Sequence, residues 1–173
     1  MDFKKASLNK YGFRGFVSIG HLKEDLSIVP KTKGVYIVFR ERLGIKLKDF
    51  LPKSTGGPFK GKDPTLDPKT LKLAWVDNAH VLYIGKAGGS RKNGKLYKST
   101  LFSRIKQYMQ FGKGKAVGHW GGRAIWQLKD QNELLIAWKE LIVEEPLEVE
   151  ASLIKKFEKK FKKRPFANMD KKK

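Results

Sequence analysis

Cysteine is absent from this 173-residue chain, which excludes disulfides and every thiolate metal site. Histidine is scarce: three scattered residues are too few to suggest a structural zinc site. Long apolar runs are missing as well. Nothing reads as a signal peptide or a membrane span, so the cytoplasm is the default compartment and no membrane partner is expected. Acid is the last shortage. Seventeen Asp and Glu stand against 38 Lys and Arg, a formal net charge of +21. Such a surplus attracts polyanions, of which nucleic acid is the commonest, although basic solubility tails and anionic-membrane binders carry the same signature.

With 40% hydrophobic and 12% aromatic residues, the chain is long and apolar enough for one folded domain with a sizeable core. Residues 1–33 read as an N-terminal extension packed on that core, with a strand at Phe16–Ile19 and a turn or short helix at His21–Leu26. Val35–Phe39 and Val81–Ile84 are unbroken apolar runs suited to buried strands. Between them, residues 40–72 hold Pro52, Pro58, Pro64, Pro68 and Gly56-Gly57, which predicts an insertion that is mostly loop. Leu73–Val76 then resumes a strand. Ser99–Phe111 predicts a helix, and Ala124–Leu128 with Leu134–Val143 a hairpin. Pro146 opens a last helix reaching about Lys163. The order β, β, α, β, β, α implies an α/β (α+β) fold, a small, mostly antiparallel sheet flanked by helices. Residues 169–173 form a basic tail.

On a strand, alternate residues share a face. If the two apolar strands pair, Tyr36 and Tyr83 rise together, beside a glycine that admits another backbone. Strand tyrosines are usually core residues, so the pair gains weight only from its company. Arg104 lies at the edge of an apolar helix stripe with Tyr108 one turn on. An arginine there is commonly a snorkelling side chain. Glu150 falls within the apolar stripe of the last helix, formed by Leu147, Ile154, Phe157 and Phe161. A core-facing carboxylate costs several kcal/mol unless it is paired or bound to a cation. Either a buried salt bridge or a metal answers that cost. Asn168 follows in Arg164-Pro165-Phe166-Ala167-Asn168.

Gly34-Val35-Tyr36, Tyr83-Ile84-Gly85, Arg104, Glu150 and Asn168, in that order, resemble the GIY-YIG nuclease family over residues 34–168. The residues between the two tripeptides replace the short hairpin usual in the family; looping them out adds little closure entropy. The resemblance implies an endonuclease hydrolysing DNA phosphodiesters, with RNA not excluded. Glu150 would hold one divalent ion, Mg²⁺ or Mn²⁺. Arg104 would bind the scissile phosphate, Tyr83 would activate water, and Tyr36, Tyr108 and Asn168 would complete the site. A free phenol needs neighbouring positive charge to act as a base at neutral pH; Lys86 and Arg104 are the expected sources. As a double-strand cutter with one site per chain, the protein would act as a homodimer or cut twice as a monomer.

Lys86 and several other basic residues are candidates for nucleic-acid contact. His119-Trp120-Gly121-Gly122-Arg123 offers charge at His119 and Arg123 and backbone N–H groups at the glycines, or else a tight loop anchored by Trp120. Lys155 and Lys159 lie on the polar side of the last helix, where they either track a phosphate backbone or form a solvated face. Gly89–Lys95 has the spacing of a phosphate-binding P-loop, but Leu96 stands where the Mg²⁺-binding hydroxyl belongs, so ATP binding is not expected. The rival functional class is a non-catalytic module that keeps the fold and the basic surface.

Overall fold

A computed structural model describes residues 1–44, 50–91 and 93–169. In chain order the elements are α1 (Lys5–Lys10), β1 (Arg14–Ser18), α2 (Ile19–Glu24), β2 (Gly34–Phe39), α3 (Pro68–Ala74), β3 (Val81–Ala87), α4 (Leu101–Gly112), β4 (Leu135–Glu140) and α5 (Pro146–Phe161). The strands form one antiparallel sheet in the order β1-β4-β2-β3. Every residue of β2 is buried, because helices cover both faces of this central strand. That explains its unbroken apolar run. Tyr36 and Val38 pack towards α2 and α4, while Val35, Ile37 and Phe39 pack towards α1 and α5. The molecule is α+β, with a helical layer on each side of the sheet. Among the described residues, no helix is long and apolar enough to cross a membrane.

Three expectations need correction. Residues 1–33 do more than pack on a finished core: they supply β1 and the fully buried Phe13, Ile19 and Leu22. Leu73–Val76 is not a strand. Asp67 caps a helix there, its Oδ1 accepting from Thr70 N at 2.9 Å, and Pro68 fills the first helical position, a strong start signal. Ala124–Leu128 is no hairpin arm either. Arg123–Gln127 forms a 3₁₀ helix, and residues 124–128 are all buried, whereas a half-buried strand would expose alternate side chains. β4 pairs instead with β1 and β2.

The insertion at 40–72 is tied down. Its residues 45–49, like tail residues 170–173, lie outside the described residues. Buried Gln127 binds it through three backbone groups: its Oε1 accepts from Leu66 N (2.9 Å), and its Nε2 donates to Leu51 O (3.1 Å) and Leu66 O (2.9 Å). The ring of Phe59 reaches that of Trp120, 5.8 Å between centroids. The insertion therefore touches the loop that roofs the candidate site.

Candidate active site

Register brings the two phenols together. Tyr36 on β2 stands opposite Gly85 on β3, and Val38 opposite Tyr83, so both tyrosines occupy one face with ring centroids 6.0 Å apart. A Cβ on Gly85 would lie 2.6 Å from Cζ of Tyr36. The glycine thus makes room for the tyrosine ring, where a second backbone had been expected. Tyr108 on α4 adds a third ring, 6.4 Å from Tyr36 and 5.8 Å from Tyr83. Its hydroxyl donates to the carbonyl of Gly122 at 2.8 Å, which ties it to the roofing loop.

That loop differs from its expected role. His119, proposed as a nucleic-acid contact, is fully buried and so cannot meet a phosphate at the surface. Its Nε2 lies 3.3 Å from the Tyr36 hydroxyl, and its ring centroid is 4.5 Å from that of Tyr108. Gly121 and Gly122 sit against the phenols: Cβ atoms there would come within 2.9 Å of the Tyr83 hydroxyl and 2.8 Å of the Tyr108 hydroxyl. Arg123 is half-buried and stacks on Trp120, its Cζ 4.5 Å from the ring centroid. The loop closes over the tyrosines, and its glycines fit it there.

Burial governs the protonation of this cluster. It raises the Tyr36 phenol to about 12, against a smaller lowering by Arg104. Tyr83 and Tyr108 are pushed well above the ordinary tyrosine range, and no cation opposes the shift at Tyr83. The positive charge expected to act on Tyr83 acts on Tyr36 instead. Burial also drives His119 down to about 3, so its imidazole is neutral at physiological pH. Tyr83 is 7% exposed and Tyr36 is wholly covered. Of the two, Tyr83 is the less deeply buried.

Arg104 projects from α4, its Nη1 donating to Oε1 of Gln107 at 3.0 Å. Its charge acts on Tyr36, His119 and Glu150, so it lies near both the phenols and the carboxylate. Glu150 is half-buried on α5. The buried stripe of this helix is Val149, Leu153 and Phe157, and Leu147, assigned to it from sequence, is exposed. The stripe is rotated, and Glu150 lies at its border. Its carboxylate opens on a cleft of ≈ 600 Å³ lined by Lys86, Ser90, Arg91, Asn93 and Tyr97. Burial raises its pKa to about 7, opposed by Lys86, Arg104 and Arg164. Among the described residues, no Lys or Arg nitrogen comes within 4.0 Å of this carboxylate. The buried salt bridge that would explain it structurally is not made among the described residues.

No family model, curated protein or solved structure matches this chain.

Asn168 does more than end a helix. Its Oδ1 accepts from Ile84 N and its Nδ2 donates to Ile84 O, both at 2.8 Å. The amide imitates one residue of a neighbouring strand on the free side of β3 and pins the backbone between Tyr83 and Gly85. Between Gly89 and Lys95, where Lys92 lies outside the described residues, Arg91 N donates to Lys95 O at 2.7 Å and Gly94 N to Arg91 O at 2.9 Å. No helix follows until Leu101, so the phosphate-binding geometry of a P-loop is not built. Lys155 and Lys159 are exposed on α5. Sequence reasoning missed Tyr97 and Arg91 beside Glu150. The signal was an aromatic embedded in a Gly- and Lys-rich loop, but nothing local linked that loop to α5.

Proposed function

We propose that this protein is a metal-dependent nuclease of the GIY-YIG type acting on DNA. The observation that carries the reading is the convergence of Tyr36, Tyr83, Arg104 and Glu150 from two strands and two helices around one corner of β3. A half-buried carboxylate held near neutrality, without an ion pair among the described residues, fits a divalent cation such as Mg²⁺ or Mn²⁺. The cleft beside it has room for the waters and phosphate oxygens that complete such a shell. When bound, that ion would polarise a phosphate oxygen as a Lewis acid. Arg104 would hold the scissile phosphate and meet the charge that builds on it. Tyr83, the less deeply buried of the two strand phenols, would activate the attacking water. Tyr36 lies behind it and is oriented by His119, whose neutral imidazole holds the phenol without taking up charge. Tyr108 anchors the roofing loop, and Asn168 keeps β3 in place.

A second reading, a non-catalytic nucleic-acid-binding module, draws on the depth of the three phenols. Cleavage of supercoiled plasmid with Mg²⁺ or Mn²⁺, beside EDTA and a Glu150→Ala control, separates the two. Metal-dependent nicking or linearisation lost in the variant supports the nuclease. Tight DNA binding without cleavage of plasmid, forked or nicked DNA supports the module.

A further inference from the structure

The cleft beside Glu150 carries an arrangement the catalytic set does not use. Tyr97, partly exposed, is embraced by two cations. Lys86 Nζ lies 4.5 Å from its ring centroid and Arg91 Cζ 4.7 Å. Lys86 comes from β3, immediately after Gly85, while Arg91 comes from the turn that Tyr97 closes by donating its N–H to Gly89 O at 2.8 Å. Two like charges on one ring repel each other; the ring's negative face holds both in place. Neither is spent on an acid: among the described residues no carboxylate oxygen lies within 4.0 Å of either nitrogen group. The cleft they line has the size typical of ligand sites, roughly 300–1,000 Å³.

We propose that Lys86 and Arg91, gathered by the ring of Tyr97, form a clamp for a phosphate of the nucleic-acid strand next to the one being cut. Tyr97 is a positioning residue that holds the two cations against its ring. The clamp rests on the nuclease reading, because it assigns the cleft beside Glu150 to the substrate backbone. Arginine adds two-pronged recognition of phosphate oxygens, and lysine adds a point charge.

The test is fluorescence anisotropy of a labelled DNA duplex in EDTA over a salt series, with Mg²⁺-dependent cleavage measured alongside. Wild type is compared with Arg91→Ala, Tyr97→Leu, Tyr97→Phe and a Lys155→Ala/Lys159→Ala control. Arg91→Ala should weaken binding about 5- to 10-fold and lower the salt slope by about one phosphate contact. Tyr97→Leu should weaken it several-fold, whereas Tyr97→Phe, which keeps the ring, should match wild type. Unchanged affinity and slope in both Arg91→Ala and Tyr97→Leu would overturn the clamp, as would Tyr97→Phe failing as badly as Tyr97→Leu. These outcomes leave the nuclease reading intact if wild type still cuts. A wild-type protein that binds no DNA would remove that reading and the clamp together.

Discussion

Glu150 carries opposed demands on stability and function. Its carboxylate is half-buried and raised to about 7 by burial, so at pH 8 the folded state holds a charge that water would solvate better. An acid whose folded pKa exceeds its unfolded value destabilises the fold in full above the folded pKa, and the penalty fades as pH falls from about 7 towards the ordinary 4.5. Glu150→Gln should therefore stabilise the protein at pH 8 by about 1–2 kcal/mol, after allowance for partial solvation, while abolishing metal-dependent cleavage. Chemical denaturation at pH 8 and pH 5 reads the stability gain, which should shrink at the lower pH. Gly85 is the other decisive residue. A methyl there would meet the Tyr36 ring at 2.6 Å in a site with no slack, so Gly85→Ala should destabilise by about 1–3 kcal/mol. It should also impair cleavage beyond the stability loss, seen as reduced turnover by protein that remains folded.

Among the elements, the insertion was expected to be mostly loop; its described residues are an anchored loop as far as Asp67, and then α3 begins at Pro68. Gln127 sits in a 3₁₀ helix that periodicity suggested was a strand, and its amide answers backbone groups of Leu51 and Leu66. A buried backbone group left without its partner costs about 1–3 kcal/mol. Gln127→Leu should accordingly destabilise by about 2–4 kcal/mol, with the loss focused on the insertion. Hydrogen exchange checks this: the Leu66 amide should lose protection while the β2 amides keep theirs. α3 illustrates the reverse case, in which Asp67-Pro68 marked a helix start and apolar content alone suggested a strand. α4 and α5 were legible because each joins a start signal to a long amphipathic stretch: Thr100 for α4, Pro146 for α5.

For the whole molecule, the roofing loop couples protonation to folding. His119 is held neutral by burial, from an ordinary 6.5 down to about 3. Between those values the unfolded chain binds a proton that the native protein refuses, so stability is full above about pH 6.5 and falls as pH drops towards 3. The loss from pH 7 to pH 4 amounts to roughly 3 kcal/mol. Glu150 works in the opposite direction over the upper part of that range, so the His119 contribution is best isolated by difference. His119→Gln should be less stable than wild type at pH 7, with the gap narrowing steadily towards pH 4. Urea denaturation of both proteins across that range checks the slope. The net charge of +21 acts on top of this: self-repulsion grows as the carboxylates protonate.

The sequence by itself determined the strands around Tyr36 and Tyr83, helices α4 and α5, the loop character of the insertion's described residues before α3, and the basic balance of the chain. Each is written in local periodicity, turn chemistry or composition. Glu150 stood out because a carboxylate beside apolar helix positions is costly, whereas Tyr36, Tyr83 and Arg104 were singled out only through the resemblance of the whole set. Only the tertiary structure decided that residues 1–33 complete the sheet, that β4 lies between β1 and β2, and that His119 is buried behind Tyr36. It alone brought Tyr97 and its two cations to Glu150, and Asn168 to the backbone of Ile84. Those relations depend on strand order and on packing between segments far apart in the chain, and a local pattern carries no information about which distant segment will cover it.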